Sequence, residues 1–397
     1  MTHPSETFCI LPWMHMATNA SGNLRVCCNS TPGKNYVTRP NGRPYKISDP
    51  DASDYWNSPV LTNIREQFLA GKRPEMCERC FREEDAGIRS ARQSWNSSWY
   101  QEQDYSTIAE PHIKYFDIRL GNLCNLKCRM CNPFASNQWI DEWNLVERAL
   151  PVEEAERLKK MDWFEGDQTW DNIFKYAEYI EEIYLTGGEP TLAISQYRLF
   201  DRLIEAGLAR KIRLKYNTNM TNIPQKMVDY WQHFKRIKIN ASIDAVGDLN
   251  RYIRYPTAWS SVEKNLKIFK QMRDEDRCNL QVHVTVQVYN VLYLDKLFDY
   301  LYDLDITDIY LNILNHPRYL NIRCLPEQLK KQVNDTLCKY KHINKVQGVI
   351  DYMYAEDWSE YIPELIDYTC KLDQSREQHC GDAAPLIGEL VYGKLTQ

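Results

Sequence analysis

Three cysteines stand close together in Leu123-Cys124-Asn125-Leu126-Lys127-Cys128-Arg129-Met130-Cys131, separated by three and then two residues. That spacing lets three thiols converge on one side of a loop. Three thiolates are one ligand short of the closed tetrahedral site that structural zinc takes. They suit a 4Fe–4S cluster in which three irons are protein-bound and the fourth is open to a substrate. A second set, Cys9, Cys27, Cys77 and Cys80, offers four thiols, which is complete for zinc or for a fully ligated cluster. Gly22 can turn a hairpin that brings Cys9 and Cys27 together, and Cys77-Glu78-Arg79-Cys80 supplies the second pair. Cys28 competes with Cys27 for the same role, and the glycine spacing favours Cys27. Separate buried thiols are the plain alternative for this set.

The chain has 13 cysteines, and disulfides are rare inside cells, so clustered thiols there point to metal or to chemistry. Cys278, Cys324, Cys338, Cys370 and Cys380 have no mutual spacing and read as ordinary buried thiols. His15 reads as a hydrogen-bonded structural histidine, with ligand or base as the alternative.

The elements that must hold these residues come next. Lys114–Arg119, rich in β-formers, runs straight into the three-cysteine loop. Further strands are expected at Glu182–Leu185, Ile212–Tyr216, Arg236–Ser242, Asn279–Val288 and Asp308–Ile313. Amphipathic helices lie between them at Gln196–Ala206, Ile223–Gln232, Trp259–Arg273 and Tyr293–Leu304. Strand–helix alternation over this length implies a parallel α/β sheet, open or closed into a barrel. The first hundred residues differ. They are rich in turn formers, as in Asn29–Asn35 and Arg39–Pro44, with a short strand at Leu24–Cys27 and a helix at Ser58–Ala70. A small loop-rich unit with a thin apolar core gains from a metal staple. From Pro326 onward the pattern is helical.

The expected strand Glu182–Leu185 ends in Thr186-Gly187-Gly188-Glu189-Pro190. Paired glycines allow positive φ and close backbone approach, and Pro190 can open the next helix. This is a tight strand–helix turn or a ligand cradle. Asn217 and Asn219 follow the third expected strand, Ser242 ends the fourth and Asp244 follows it. Those residue types cap helices and turns, and they also sit where parallel α/β folds bind ligands, at strand C-terminal ends.

Cys124-x3-Cys128-x2-Cys131 after a first strand resembles the signature of radical S-adenosylmethionine (SAM) enzymes, and Gly187-Gly188-Glu189-Pro190 matches that family's second motif in the right order. The resemblance implies a partial (β/α)6 TIM-type barrel, a radical SAM core over 111–322. It implies that Cys124, Cys128 and Cys131 hold a 4Fe–4S cluster whose open iron chelates SAM. Gly187, Gly188, Glu189 and Pro190 would then bind the methionyl amine. Asn217, Asn219, Ser242 and Asp244 would contact ribose or methionine, and Arg254 would pair with the SAM carboxylate or, alternatively, form a surface salt bridge. Met130 replaces the aromatic residue usual beside the last cysteine. Cys9-x12-Gly22-x4-Cys27 with Cys77-x2-Cys80 is similar to the auxiliary-cluster modules called SPASM and twitch domains, although those follow the barrel. It implies a second 4Fe–4S cluster in a loop-rich module over 1–110, leaving a helical extension over 323–397.

The resemblance implies an oxidoreductase or transformase that cleaves SAM reductively to a 5′-deoxyadenosyl radical and abstracts a hydrogen atom from substrate. A peptide or protein side chain is the expected target. A small sugar- or nucleotide-like molecule is the alternative, and a zinc-binding structural module is the reading that is not an enzyme. The electron would come from a flavodoxin or ferredoxin. No catalytic residue is singled out. The 49 basic and 54 acidic residues give a net charge of −5, so nucleic acid is not an expected partner. No apolar run approaches the roughly 18–20 residues that cross a bilayer, and no signal-peptide pattern opens the chain, so a cytoplasmic protein is expected.

Overall fold

The computed structural model describes residues 3–31, 35–85, 87, 89–147 and 149–393. Pro32, Gly33 and Lys34 of the turn-former stretch, and 394–397 of the expected helical tail, lie outside the described residues.

Eight strands form one open sheet: β1 (His15–Thr18), β2 (Leu24–Arg25), β3 (Tyr115–Leu120), β4 (Glu182–Gly187), β5 (Arg213–Thr218), β6 (Arg236–Ser242), β7 (Cys278–Val286) and β8 (Ile309–Ile313). Their order is β2-β1-β3-β4-β5-β6-β7-β8. The β1/β3, β3/β4, β6/β7 and β7/β8 pairs are parallel, and the β1/β2 pair on the N-terminal edge is antiparallel. The expected α/β class and open barrel-type sheet are what the chain adopts. Six expected strands are present, Arg236–Ser242 with the expected ends and the others with ends shifted by at most two residues, as are the helices Pro59–Leu69, Tyr197–Glu205, Gln225–Trp231, Trp259–Asp274 and Leu294–Asp303.

Two features differ from the sequence expectation. The strand expected over Leu24–Cys27 ends at Arg25, because Cys27 and Cys28 enter a turn closed by Ser30 N–H on Cys27 O. His15–Thr18, not foreseen as a strand, pairs in parallel with Tyr115–Asp117, so the N-terminal segment extends the same sheet.

The chain divides into two compact units. The first comprises Met1–Leu123, Met161–Lys215 and Lys226–Arg236. In its sheet, Phe116, Ile118, Leu120, Ile183 and Leu185 are fully buried on one face. Tyr115, Asp117 and Arg119 alternate onto the other face. Three helices, α1 (Pro59–Leu69), α2 (Glu78–Asp85) and α3 (Ala91–Trp99), carry the N-terminal segment. Ser58 caps α1, and Ser90 with Gln93 forms a capping box on α3. The second unit comprises Cys124–Lys160, Tyr216–Gln225 and Ile237–Gln397. It holds the three-cysteine loop, the β6–β7–β8 part of the sheet and the C-terminal helices, among them Ile362–Arg376. Among the described residues, no helix is long and apolar enough to cross a membrane.

Candidate functional site

In the first unit, Cys9 precedes the short 3-10 helix Leu11–Trp13, Cys27 sits in the turn after β2, Cys77 ends the 3-10 helix Glu75–Cys77, and Cys80 lies in α2. Thr31 N–H on Met76 O, at 2.9 Å, ties the Cys27 turn to the Cys77 segment. Burial raises all four thiols, Cys27 to about 11, and the four interact electrostatically with one another. Backbone amides face three of the sulfurs: Leu11 at Cys9, Asn29 and Ser30 at Cys27, and Arg92 at Cys80. Thiols pushed up by burial and by one another will ionise only when a cation or cluster compensates them, and amides directed at sulfur stabilise the bound form.

Cys28 takes another direction. It is exposed, and its thiol is hydrogen-bonded to Asp117 on β3. Asp117 is 4% exposed. Its carboxyl is raised by burial despite Arg25, Lys215 and Arg119 nearby. His15, equally buried, is pushed down to about 3 by burial and by Arg25.

The glycine turn belongs to the same unit. Gly187 has φ +140°, and a Cβ there would lie 2.5 Å from Leu120 O. At Gly188 a Cβ would lie 2.2 Å from Leu123 O, while Glu189 N–H donates to that oxygen at 2.7 Å. Both glycines therefore allow the end of β4 to lie against the backbone that leads into Cys124. Glu189, 2% exposed, accepts from the Thr191 N–H and hydroxyl, so it caps the turn opened by Pro190.

In the second unit, Cys124, Leu126 and Cys128 form a buried cluster with Met130 and Cys131 packed against it. Cys128 is held below its ordinary value by the bond from the Cys131 thiol and by Arg254 and Arg376, while that same bond and burial raise Cys131. Hydrogen bonds from Lys127 N–H to Tyr255 O, Arg129 N–H to Ile253 O and Trp139 Nε1–H to Cys128 O fix the loop. Ser136 Oγ–H on Leu126 O closes it.

The remaining expected cofactor residues also lie in this unit. Arg254 Nε stands 2.8 Å from Asp244, which is fully buried and also accepts from Thr285 N–H. The two residues expected to touch SAM separately are thus joined to each other. Asn217 accepts from Asn240 Nδ2 at 2.7 Å, Asn219 donates to Asn125 at 2.9 Å, and Ser242 ends β6. Sequence spacing gave no signal for Asp117, Arg129 or Asp373, whose partners are distant in the chain.

The donor set at Cys124, Cys128 and Cys131 fits a cluster with one open iron: three converging thiols, one of them favouring the thiolate, and cationic Arg254 and Arg376 close by. Among the described residues, no three His, Cys, Asp or Glu side chains converge tightly enough for a single metal ion.

Comparison with known proteins agrees with the loop. Residues 118–301 match the family model described as the radical SAM superfamily. No curated protein matches the chain. Similar solved structures include native anSMEcpe with bound AdoMet and Cp18Cys peptide, at 17% identity and TM-score 0.38, covering 57% of this chain and 58% of that one. Streptococcus suis SuiB bound to precursor peptide SuiA is similar at 16% identity and TM-score 0.33, covering 82% and 68%. SuiB bound to S-adenosylmethionine is similar at 20% identity and TM-score 0.32, covering 55% and 46%. The chain thus spans less than two thirds of anSMEcpe. The three-cysteine loop at the end of β3 and the glycine turn at the end of β4 both lie inside residues 118–301, the span that matches the radical SAM superfamily model.

Proposed function

We propose that this chain is a radical SAM enzyme that cleaves SAM reductively and abstracts a hydrogen atom from a peptide or protein side chain. The observation that carries the reading is the convergence of Cys124, Cys128 and Cys131 in one buried loop within the matched domain. When bound, the cluster would supply one electron for the reductive cleavage of SAM that starts hydrogen abstraction from substrate. The three thiols would hold three irons, and Met130, an apolar and adaptable side chain, packs against the same cysteine cluster. Arg254 and Arg376 supply positive charge beside Cys128, which favours the ligating thiolate. Gly187 to Pro190, Asn217, Asn219 and Ser242 are the proposed SAM contacts, and the Arg254–Asp244 pair sets the charge beside the sulfurs. Cys9, Cys27, Cys77 and Cys80 are proposed to hold a second 4Fe–4S cluster in a SPASM- or twitch-like module, which supports the peptide-modifying reading. A cytoplasmic flavodoxin or ferredoxin is the proposed electron donor.

The test is Cys128→Ala in anaerobically reconstituted protein. It is expected to stay soluble and to lose 5′-deoxyadenosine formation with dithionite, because removing one of three thiolates labilises the cluster. Undiminished 5′-deoxyadenosine would overturn the assignment.

A further inference from the structure

Arg129 lies between two cysteines of the loop and is fully buried. Its guanidinium does not point at the thiols' own neighbours in sequence but meets the C-terminal helix Ile362–Arg376, with Nη2 at 2.5 Å from Asp373 Oδ1. It also stacks over the Tyr252 ring at 3.6 Å, and Nε donates to Tyr252 O. Asp373 collects further donors: the Tyr252 hydroxyl at 2.9 Å, Cys380 N–H at 2.7 Å and the Tyr392 hydroxyl at 2.6 Å. From the same helix, the Tyr368 hydroxyl donates to Arg129 O at 2.5 Å. One turn further, Arg376 pairs with Glu142 at 2.9 Å, which also receives Lys127 of the loop at 3.1 Å.

Loop residues on both sides of Cys128 are therefore held by the extension. A buried ion pair is poor evidence of added stability, since desolvation offsets much of its attraction. It is directional, however, and groups that orient metal ligands from behind govern how well the ligands hold.

We propose that Asp373 is a positioning residue for the three-cysteine loop: by receiving Arg129, with Tyr252, Cys380 and Tyr392 completing its shell, it fixes the Cys128 and Cys131 side chains from outside the radical SAM domain. The proposal rests on the cluster reading for its functional consequence but not for its geometry, so the experiment has an arm that needs no iron.

The full chain is prepared wild type, as Asp373→Asn and as Thr369→Val. Thr369 sits one turn away on the same helix and bonds Leu365 O and the Tyr289 hydroxyl, so its variant weakens the helix while keeping the Arg129–Asp373 ion pair. In the metal-free chain, alkylation of Cys128 and Cys131 by iodoacetamide is followed by peptide mass spectrometry. Asp373→Asn is expected to raise it about tenfold, as loss of a charge-assisted hydrogen bond implies. Thr369→Val is expected to lower the melting temperature and leave that rate within twofold of wild type, roughly the scatter of such local opening. In reconstituted protein, iron release to a ferrous chelator should rise about tenfold or more for Asp373→Asn alone, with an altered electron paramagnetic resonance spectrum of the reduced cluster. Equal alkylation in wild type and Asp373→Asn, or equal acceleration in Thr369→Val, would overturn the positioning role. A wild-type chain that takes up no iron would instead overturn the cluster reading, and the alkylation arm would still decide the role of Asp373.

Discussion

The two thiol groups of this molecule are built in opposite ways. Cys9, Cys27, Cys77 and Cys80 come from four separate short segments, held in place by caps, turns and the hydrogen bond between Thr31 and Met76. Burial and mutual repulsion raise all of them. Cys124, Cys128 and Cys131 come from a single loop, and Arg254 and Arg376 beside them help to hold Cys128 below its ordinary value. The first arrangement offers four thiols from separate segments, the set proposed to close a full ligand shell. The second offers three thiols from one loop, with Arg254 and Arg376 near Cys128 and each paired with a buried carboxylate, Asp244 and Glu142. The contrast teaches that a thiol's neighbours, and not its burial alone, set which way its ionisation is pushed.

The severest test of that contrast is to delete half of the closed set. Anaerobically reconstituted protein is expected to carry about eight irons, and Cys77→Ala/Cys80→Ala to lose roughly half. The variant should still cleave SAM with dithionite, since its loop is untouched, while turnover of the true substrate falls much further. Loss of zinc alone on mutation would replace the closed cluster by a zinc site.

A Cβ at position 188 strikes the backbone next to Cys124 and leaves the four-thiol set alone. Gly188→Ala is expected to lower SAM cleavage about 100-fold, since an ångström-scale misplacement costs that much. Iron at the four-thiol set should persist. Unchanged SAM affinity and turnover would show that Leu123 yields freely.

Cys27 and Cys28 sharpen the boundary of the closed set. Cys27→Ser should cost iron there, whereas Cys28→Ser should keep the full complement, because the Cys28 thiol is bonded to Asp117. Iron analysis of the two variants side by side gives the answer, and equal losses would place both cysteines at the site.

The smallest effect concerns His15, behind the N-terminal thiols. Its ring is held neutral down to about 3, while an unfolded chain protonates it near the usual value of about 6.5. Between these pH values the unfolded state binds the extra proton, so stability is full above about pH 6.5 and declines as pH falls toward 3. His15→Asn should flatten the acid limb of a melting-temperature profile by up to about one proton. An identical limb in both proteins would remove His15 from the acid response.

Much of the fold was legible in the sequence because its signals are local. β3 and β7 alternate apolar and polar residues over six and nine positions, and the helices between the strands carry apolar stripes. β1 was not legible. All four of its residues are buried, so His15–Thr18 shows no alternation, and only pairing with β3 makes it a strand. The glycine turn was legible as a close approach, but its neighbour, the Leu120–Leu123 backbone, was not.

By itself, then, the sequence determined the three-thiol loop and its place after a strand, the glycine turn after the next strand, and the alternation that makes an α/β sheet. Each is written in a window of a dozen residues or fewer, where steric and hydrogen-bonding preferences act without the rest of the chain. Tertiary structure brought the Cys27 thiol, which glycine spacing already favoured, near those of Cys9, Cys77 and Cys80, and gave the Cys28 thiol Asp117 as its partner. It also decided that Arg254 pairs with Asp244, and that Arg129 is gripped by Asp373, 244 residues away. Such pairings depend on which buried charges find partners once the whole chain has packed. A low-dielectric interior makes that choice sharp, and no local pattern records it.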